Sequence, residues 1–158
     1  QPAIYVYIAY KSYSGHDVVR TPYTGDKPNA DPRKWEMASK LLYKTKQPEM
    51  LRALIGEDLT RDFIAFARQQ VISVEDVINH NYSSRDLEMD VSQKFATAVG
   101  LSSVDDEHFE EVRDFMKQVG AEPRAAFESM WTHGDERRLE RLAEVQMADS
   151  LSQGGIRR

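Results

Sequence analysis

Apolar residues recur at helical spacing along most of the chain, and this periodicity constrains the fold more than any other feature. Groups spaced by three and four residues begin at Trp35 and continue to Val145, which is the spacing of one face of an α-helix. Helix-stop residues separate the groups, and the clearest are Gly56, Gly100 and Gly120. Runs of helices without alternating strands argue against a parallel α/β sheet. The sequence therefore predicts an all-α multi-helix bundle of seven or eight helices joined by short capped turns.

The sharpest helix start lies in residues 29–39. Asp31 is a favourable N-cap, because its carboxylate can accept the unpaired backbone N–H groups of the first turn. Pro32 falls at the first helical position, where its missing N–H costs nothing. Arg33 is the unexpected member, since a cation in the first turn opposes the positive end of the helix dipole. We expect this guanidinium either to bind an anion or to form an ion pair with a nearby carboxylate such as Glu36.

A helix that opens with Pro-Arg-x-Trp-Glu resembles the C-terminal lid of the MoxR-like AAA+ ATPases. The resemblance continues through "MLRALIG" at residues 50–56, "FIAFAR" at 63–68 and "VEDVI" at 74–78, and it covers residues 1–100. It implies that Arg33 is the sensor-2 residue, which binds the γ-phosphate of ATP held by the ATPase core. In that role, Arg33 would couple the position of the lid to the state of the nucleotide.

The nucleotide-binding core of that family is missing from this sequence. No Gly-x-x-x-x-Gly-Lys-Ser/Thr phosphate loop occurs in it, although such ATPases need one to hold ATP and Mg²⁺. The resemblance thus implies a lid without its core, either an excised domain or the last part of a longer protein. ATP and Mg²⁺ would be bound by the parent core, and no catalytic activity is expected of this chain alone. The implied partners are the AAA+ core domain, the neighbouring subunits of a ring and an unknown protein client.

We expect three segments along the chain. Residues 1–100 correspond to the lid-like helical domain, 101–152 to a helical extension packed on it, and 153–158 to a flexible tail. The stretch Ile4–Tyr10 alternates as a strand would, but the resemblance places a helix there, and a buried helix can be apolar all round. Residues 12–31 are rich in Ser, Gly, Pro and Thr and predict one long N-terminal loop.

Serines precede several of the predicted helices. Ser73 and Asp76 have the spacing of a capping box, while Ser84 and Ser103 are each expected to cap the helix that follows. The acidic run 105–108 then falls in the first turn of the helix after Ser103, where carboxylates favour the dipole. We prefer this role for the run to metal binding.

Other candidate chemistry is sparse. The histidines have no zinc-binding spacing, and no Gly-x-Ser-x-Gly nucleophile elbow is present. The four histidines are His16, His80, His108 and His133. The segment 135–152 predicts an exposed helix, either solvated or docked against another subunit or a client. Its charged face contains Glu136, Arg137, Arg138, Glu140, Arg141 and Glu144.

Composition narrows the partners and the location. A net charge of −5 argues against non-specific nucleic-acid binding. The absence of cysteine excludes disulfides and thiol nucleophiles within this sequence. No apolar run is long enough to span a bilayer and no signal-peptide pattern occurs. We therefore expect a cytoplasmic protein with neither a nucleic-acid nor a membrane partner.

Two functional interpretations remain open. The leading one is a C-terminal regulatory lid domain of a MoxR-like ATPase, which couples nucleotide state to subunit or client contacts through Arg33. The alternative is a stand-alone all-helical protein–protein interaction module, such as an adaptor or an inhibitor, with no nucleotide role.

Overall fold

The structure, a computed structural model, describes residues 2–156. Within that range the chain contains helices and no strands, so the predicted all-α fold is confirmed. Two short 3-10 helices, Pro48–Leu51 and Ser84–Leu87, accompany nine α-helices rather than seven or eight. The α-helices are α1 (Pro2–Tyr13), α2 (Pro32–Thr45), α3 (Arg52–Ile55), α4 (Glu57–Ala67), α5 (Val74–Ile78), α6 (Val91–Leu101), α7 (Phe109–Val119), α8 (Ala121–Thr132) and α9 (Glu136–Ile156).

Local capping signals produce several boundaries where they were predicted. Helix α1 contains Ile4–Tyr10, so the helical interpretation of that stretch is confirmed, and a long loop follows it. The Asp31 carboxylate accepts the backbone N–H of Lys34 at 2.9 Å and caps α2. Ser73 and Asp76 form the predicted capping box at the start of α5.

Two predicted caps are wrong. Ser84 begins a separate 3-10 helix, and the cap of α6 is Asp90, whose carboxylate accepts the N–H of Gln93 at 2.8 Å. Gln93 accepts the Asp90 N–H in return, and this reciprocal pair ends the preceding loop. The Ser103 hydroxyl instead donates to the Gly100 carbonyl at 3.0 Å, because serine readily bonds the backbone of its own turn.

The first core forms around the buried ring of Tyr7 on α1. Its ring lies 6.0 Å from that of Trp35, 5.4 Å from that of Phe63 and 5.5 Å from that of Phe66, measured between centroids. The Phe63 ring meets it edge-on, an arrangement that aromatic quadrupoles favour. Helices α1, α2 and α4 are therefore joined through one aromatic cluster.

A polar bond completes the contact of α1 with α4. The Tyr7 hydroxyl donates to the Asp62 carboxylate at 2.6 Å, and the Lys11 ammonium lies 2.7 Å from the same oxygen. Burial alone would raise the pKa of Asp62, but the hydrogen bonds from Lys11 and Tyr7 outweigh it and lower that pKa. Burial also raises the pKa of Tyr7 well above its ordinary value, so its hydroxyl remains the proton donor.

The second core forms where α7 and α8 pack together. The rings of Phe109 and Trp131 stack there with centroids 3.6 Å apart. Helix α6 joins the two cores, because Phe95 packs in the first and Leu101 in the second. The predicted division after residue 100 stays a prediction.

The C-terminal helix α9 is the longest and runs to Ile156. Residues 157 and 158 lie outside the described residues, so the flexible tail expected at 153–158 stays a prediction. No helix in the described range combines the length and the apolar character that crossing a bilayer requires.

Truncation of Phe63 tests the aromatic core. We expect Phe63→Ala to lower the free energy of unfolding by about 3–5 kcal/mol, because a fully buried ring is replaced by a cavity. Chemical denaturation followed by circular dichroism would measure the change. The control is Tyr23→Ala, whose ring is 79 % exposed and which should change stability by less than about 0.5 kcal/mol. Equal losses of unfolding free energy in the two variants would contradict the placement of Phe63 in the first core.

Candidate functional site

The loop before α2 holds the start of that helix in place. The buried indole N–H of Trp35 donates to the Val18 carbonyl at 2.9 Å. The Thr21 N–H donates to the Ala30 carbonyl at 3.0 Å, and the Ala30 N–H donates to the Thr21 hydroxyl at 2.6 Å. The loop is therefore closed on itself by the bonds between Thr21 and Ala30, and it is tied to α2 by the bond from the Trp35 indole.

Arg33 is the exposed cation of this turn. Its side chain makes no hydrogen bond or ion pair with any described residue. Lys34 points back to Asn29, with its ammonium 2.7 Å from the carbonyl oxygen and 3.1 Å from the side-chain oxygen. Glu36 pairs with Lys40 at 3.2 Å. The alternative ion pair between Arg33 and Glu36 is therefore not formed, and the guanidinium remains available for an anion.

A cavity of about 420 Å³ lies between the loop before α2 and the start of α4. Its charged lining residues are Lys27 and Arg52 together with Glu57 and Asp58, so no single sign of charge dominates it. Arg33 is not among the lining residues. The cavity therefore does not by itself supply a phosphate site for Arg33.

Gly56 sets the separation between the loop and α4. Its φ of +88° lies in the left-handed region that glycine adopts without strain. A Cβ at this position would lie 3.0 Å from the backbone oxygen of Pro28. The predicted stop after α3 is confirmed, and a side chain there would push the loop away from α4.

The acidic run 105–108 lies in the loop before α7, so its predicted place in a first helical turn is wrong. The ligand atoms of Asp105, Glu107 and His108 lie within 4.8 Å of one another. However, the Asp105 carboxylate accepts the His108 N–H at 2.9 Å and lies 2.9 Å from its Nδ1 atom. The hydrogen bond to Asp105 raises the pKa of His108. The cluster is thus accounted for by a local pair that orders the loop.

A buried ion network joins α7, α8 and α9. The Arg113 guanidinium donates to Glu128 at 2.8 Å and to Asp149 at 2.8 Å. Lys117 lies 3.3 Å from the other Asp149 oxygen, and the Gln146 amide donates to Glu128 at 3.2 Å. Hydrogen bonds from Arg113 and then from Lys117 lower the pKa of Asp149. The network fixes α9 in place by charged contacts, in addition to the packing of Leu142 against the second core.

Sequence reasoning missed this network. The available signal is the position of Arg113, which falls four residues after Phe109 and three before Met116, within the apolar stripe of α7. A charge at such a position needs a partner, because an unpaired buried ion is costly. The partner itself comes from another helix and cannot be located from spacing.

The arginines of α9 are only partly solvated. Arg137 is exposed, as predicted, but the Arg138 guanidinium lies 4.5 Å over the Trp131 ring and donates to Asp106 at 2.9 Å. Arg141 donates to the Asp106 carbonyl. The solvated interpretation is therefore wrong for Arg138 and Arg141, which dock α9 on the second core.

Comparison with known proteins adds no relative. No protein-family model matches the sequence, and neither a curated protein nor a solved structure shows significant similarity to it. The resemblance to MoxR-like lids therefore depends on the motif residues around Arg33 and on their order along the chain.

The buried pair in the ion network gives one stability prediction. We expect Glu128→Ala to cost about 1.5–3 kcal/mol of unfolding free energy, because buried Arg113 loses one charged hydrogen-bond partner and keeps Asp149. The double variant Arg113→Met with Glu128→Leu should recover most of this loss, because it removes both charges and restores volume. Urea denaturation would measure the unfolding free energy of both variants. A double variant no more stable than Glu128→Ala would contradict it.

The pair of Asp105 and His108 gives a pH prediction. We expect the His108 ring to titrate above about 6.5, the ordinary pKa of histidine, and Asp105→Asn to lower the midpoint. Because the folded-state pKa is raised, the stabilisation is complete below the unfolded-state pKa and is lost as pH rises through the folded-state value. NMR titration of the ring protons measures both midpoints. Identical midpoints would show that Asp105 does not hold the ring.

Proposed function

We propose that this chain is the C-terminal regulatory lid of a MoxR-like AAA+ ATPase and that Arg33 is its nucleotide-sensing residue. The observation that carries the proposal is an exposed guanidinium, without a partner among the described residues, in the first turn of α2. The Pro-Arg-x-Trp-Glu order around it supports the same role.

The energetics of the first turn favour an anionic ligand. A cation at a helix N-terminus is unfavourable by about 0.3–1 kcal/mol, since the dipole prefers negative charge there. A phosphate near this turn would be attracted both by the guanidinium and by the positive end of the helix. Arginine suits this role because its planar fork can hold two phosphate oxygens at once, which lysine cannot do.

The proposed mechanism couples nucleotide state to lid position. In this proposal the parent core would bind ATP and Mg²⁺, and Arg33 would supply the guanidinium that binds the γ-phosphate. Trp35 lies two residues after Arg33, packs against Tyr7 in the first core and bonds Val18 of the loop, so the proposal has the first core and the loop move together with Arg33. ATP shifts the lid only by the difference between its affinities for the two lid positions.

The proposed partners follow from this mechanism. They are the AAA+ core domain, the neighbouring subunits of a ring and a protein client that the ATPase remodels. The proposed location is the cytoplasm. Neither nucleic acid nor a membrane takes part in the proposed activity.

A second candidate function is a stand-alone helical interaction module, such as an adaptor or an inhibitor. The observation that favours it is the exposure of three large apolar side chains on α9, because such residues are common at protein interfaces. They are Leu139, Met147 and Leu151, which are 52 %, 66 % and 72 % exposed. This function needs no nucleotide, so ATP binding by the complete protein separates the two candidates.

ATP turnover by the complete protein tests the role of Arg33. We expect Arg33→Ala to reduce turnover by about 100-fold or more, the usual effect of removing a charge-stabilising donor. Arg33→Lys should restore part of the rate, because lysine keeps the charge but lacks the fork. Steady-state phosphate release would be measured for each variant.

The matched control is Arg137→Ala, which removes another exposed arginine from a different helix. It should leave turnover unchanged, and circular dichroism should show that all variants keep their helices. Unchanged turnover in Arg33→Ala, or a complete protein that binds no ATP, would remove the proposed role and leave the interaction module.

A further inference from the structure

The outward face of α9 carries exposed acids and apolar residues, and the acids have no ion-pair partner among the described residues. At about 3.6 residues per turn, Glu140, Glu144, Met147 and Leu151 fall on one side of the helix. All four are exposed, and no described residue forms an ion pair with either glutamate. Glu140 and Glu144 lie four residues apart, a spacing at which like charges destabilise a helix. A cationic partner would reduce the repulsion between these two glutamates.

The outward face of α2 has the opposite charge and a similar pattern. Lys40 and Lys44 are exposed four residues apart, with Met37 and Tyr43 exposed beside them. Lys44 makes no ion pair with a described residue, and Lys40 has only the solvent-exposed contact with Glu36, which is worth little. Arg33 lies at the N-terminal end of this face, one helical turn before Met37.

The two faces are opposite in net charge and similar in spacing and apolar content, and each also carries one exposed charge of the other sign, Glu36 on α2 and Arg137 on α9. In each helix the paired charges are separated by a rise of roughly 6 Å, with large apolar side chains flanking them. No hydrogen bond or ion pair joins α2 to α9 among the described residues, because the two helices belong to different parts of the fold. The faces cannot satisfy one another within one chain, but they can do so between two.

We propose that the outward face of α9 of one copy binds the outward face of α2 of a second copy. The partner is a second copy because this chain itself carries both complementary faces. Since the two faces differ, the contact can be reciprocal within a pair or can continue from copy to copy, giving a closed ring or an open chain. This proposal goes beyond the nucleotide role and does not depend on it, because neither face needs ATP.

The contact is small and strongly electrostatic. One helix face on another buries less than a standard interface, so association is weak and transient. Exposed charges supply much of its specificity, so association weakens as salt is added. Arg33 at the end of the α2 face remains outside the paired charges of Lys40 and Lys44.

Sedimentation velocity over a range of protein and salt concentrations tests the proposal. We expect the sedimentation coefficient of the unmodified chain to rise with protein concentration at low salt and to rise less at high salt. Lys40→Glu with Lys44→Glu, and separately Glu140→Lys with Glu144→Lys, should each weaken association by more than about 100-fold, because like charges then face each other. Neither variant alters Arg33.

An equimolar mixture of the two charge-reversed variants is the decisive sample. Every contact between the two variants pairs opposite charges again, so the mixture should associate as the unmodified chain does. The controls reverse the same number of exposed charges elsewhere, Arg20→Glu with Arg85→Glu and Asp26→Lys with Glu88→Lys, and should associate normally. An unmodified chain that stays monomeric, controls as weak as the face variants, or a mixture that fails to associate would each overturn the proposal. Because ATP is absent throughout, failure here leaves the role of Arg33 untouched.

Discussion

The hydrogen bond from the Trp35 indole to the Val18 carbonyl is the constraint on which the candidate site depends. It buries the inner face of α2 against the aromatic cluster of Tyr7 and ties the long loop to the start of that helix. With Trp35 fixed inward, helical geometry turns Arg33 and Lys40 outward. The same bond therefore positions the guanidinium proposed to sense nucleotide and the basic face proposed to bind a second copy.

The C-terminal half is held together by a different kind of interaction. Charged contacts accompany the packing of Leu142 where α9 docks, because Arg113 joins Glu128 and Asp149 while Arg138 covers the Trp131 ring. Buried ion pairs add little net stability compared with apolar packing but penalise every arrangement that leaves a charge alone. This accounts for a helix that is fixed in position while its outer face stays exposed.

Helix types and most boundaries could be predicted from the sequence because they depend on neighbours within one or two turns. Asp31 and the capping box of Ser73 act on their own first turns, and Gly56 ends α3 through its own backbone. The wrong N-cap predictions at Ser84 and Ser103 show that a local pattern does not always decide which residue caps a helix. A serine can bond its own turn instead, and Asp90 was the better cap a few residues on.

Sequence alone determined an all-α chain, and it singled out Arg33 as a cation at the positive end of a helix dipole. Both could be predicted because helix periodicity, caps and dipole sign are local properties. Only the tertiary structure decided that Arg33 has no described partner, that Arg113 is buried between two acids, and that α2 and α9 expose opposite charges. These outcomes depend on which residues distant in sequence approach one another. Helical spacing fixes the faces of each helix but not the neighbours those faces meet.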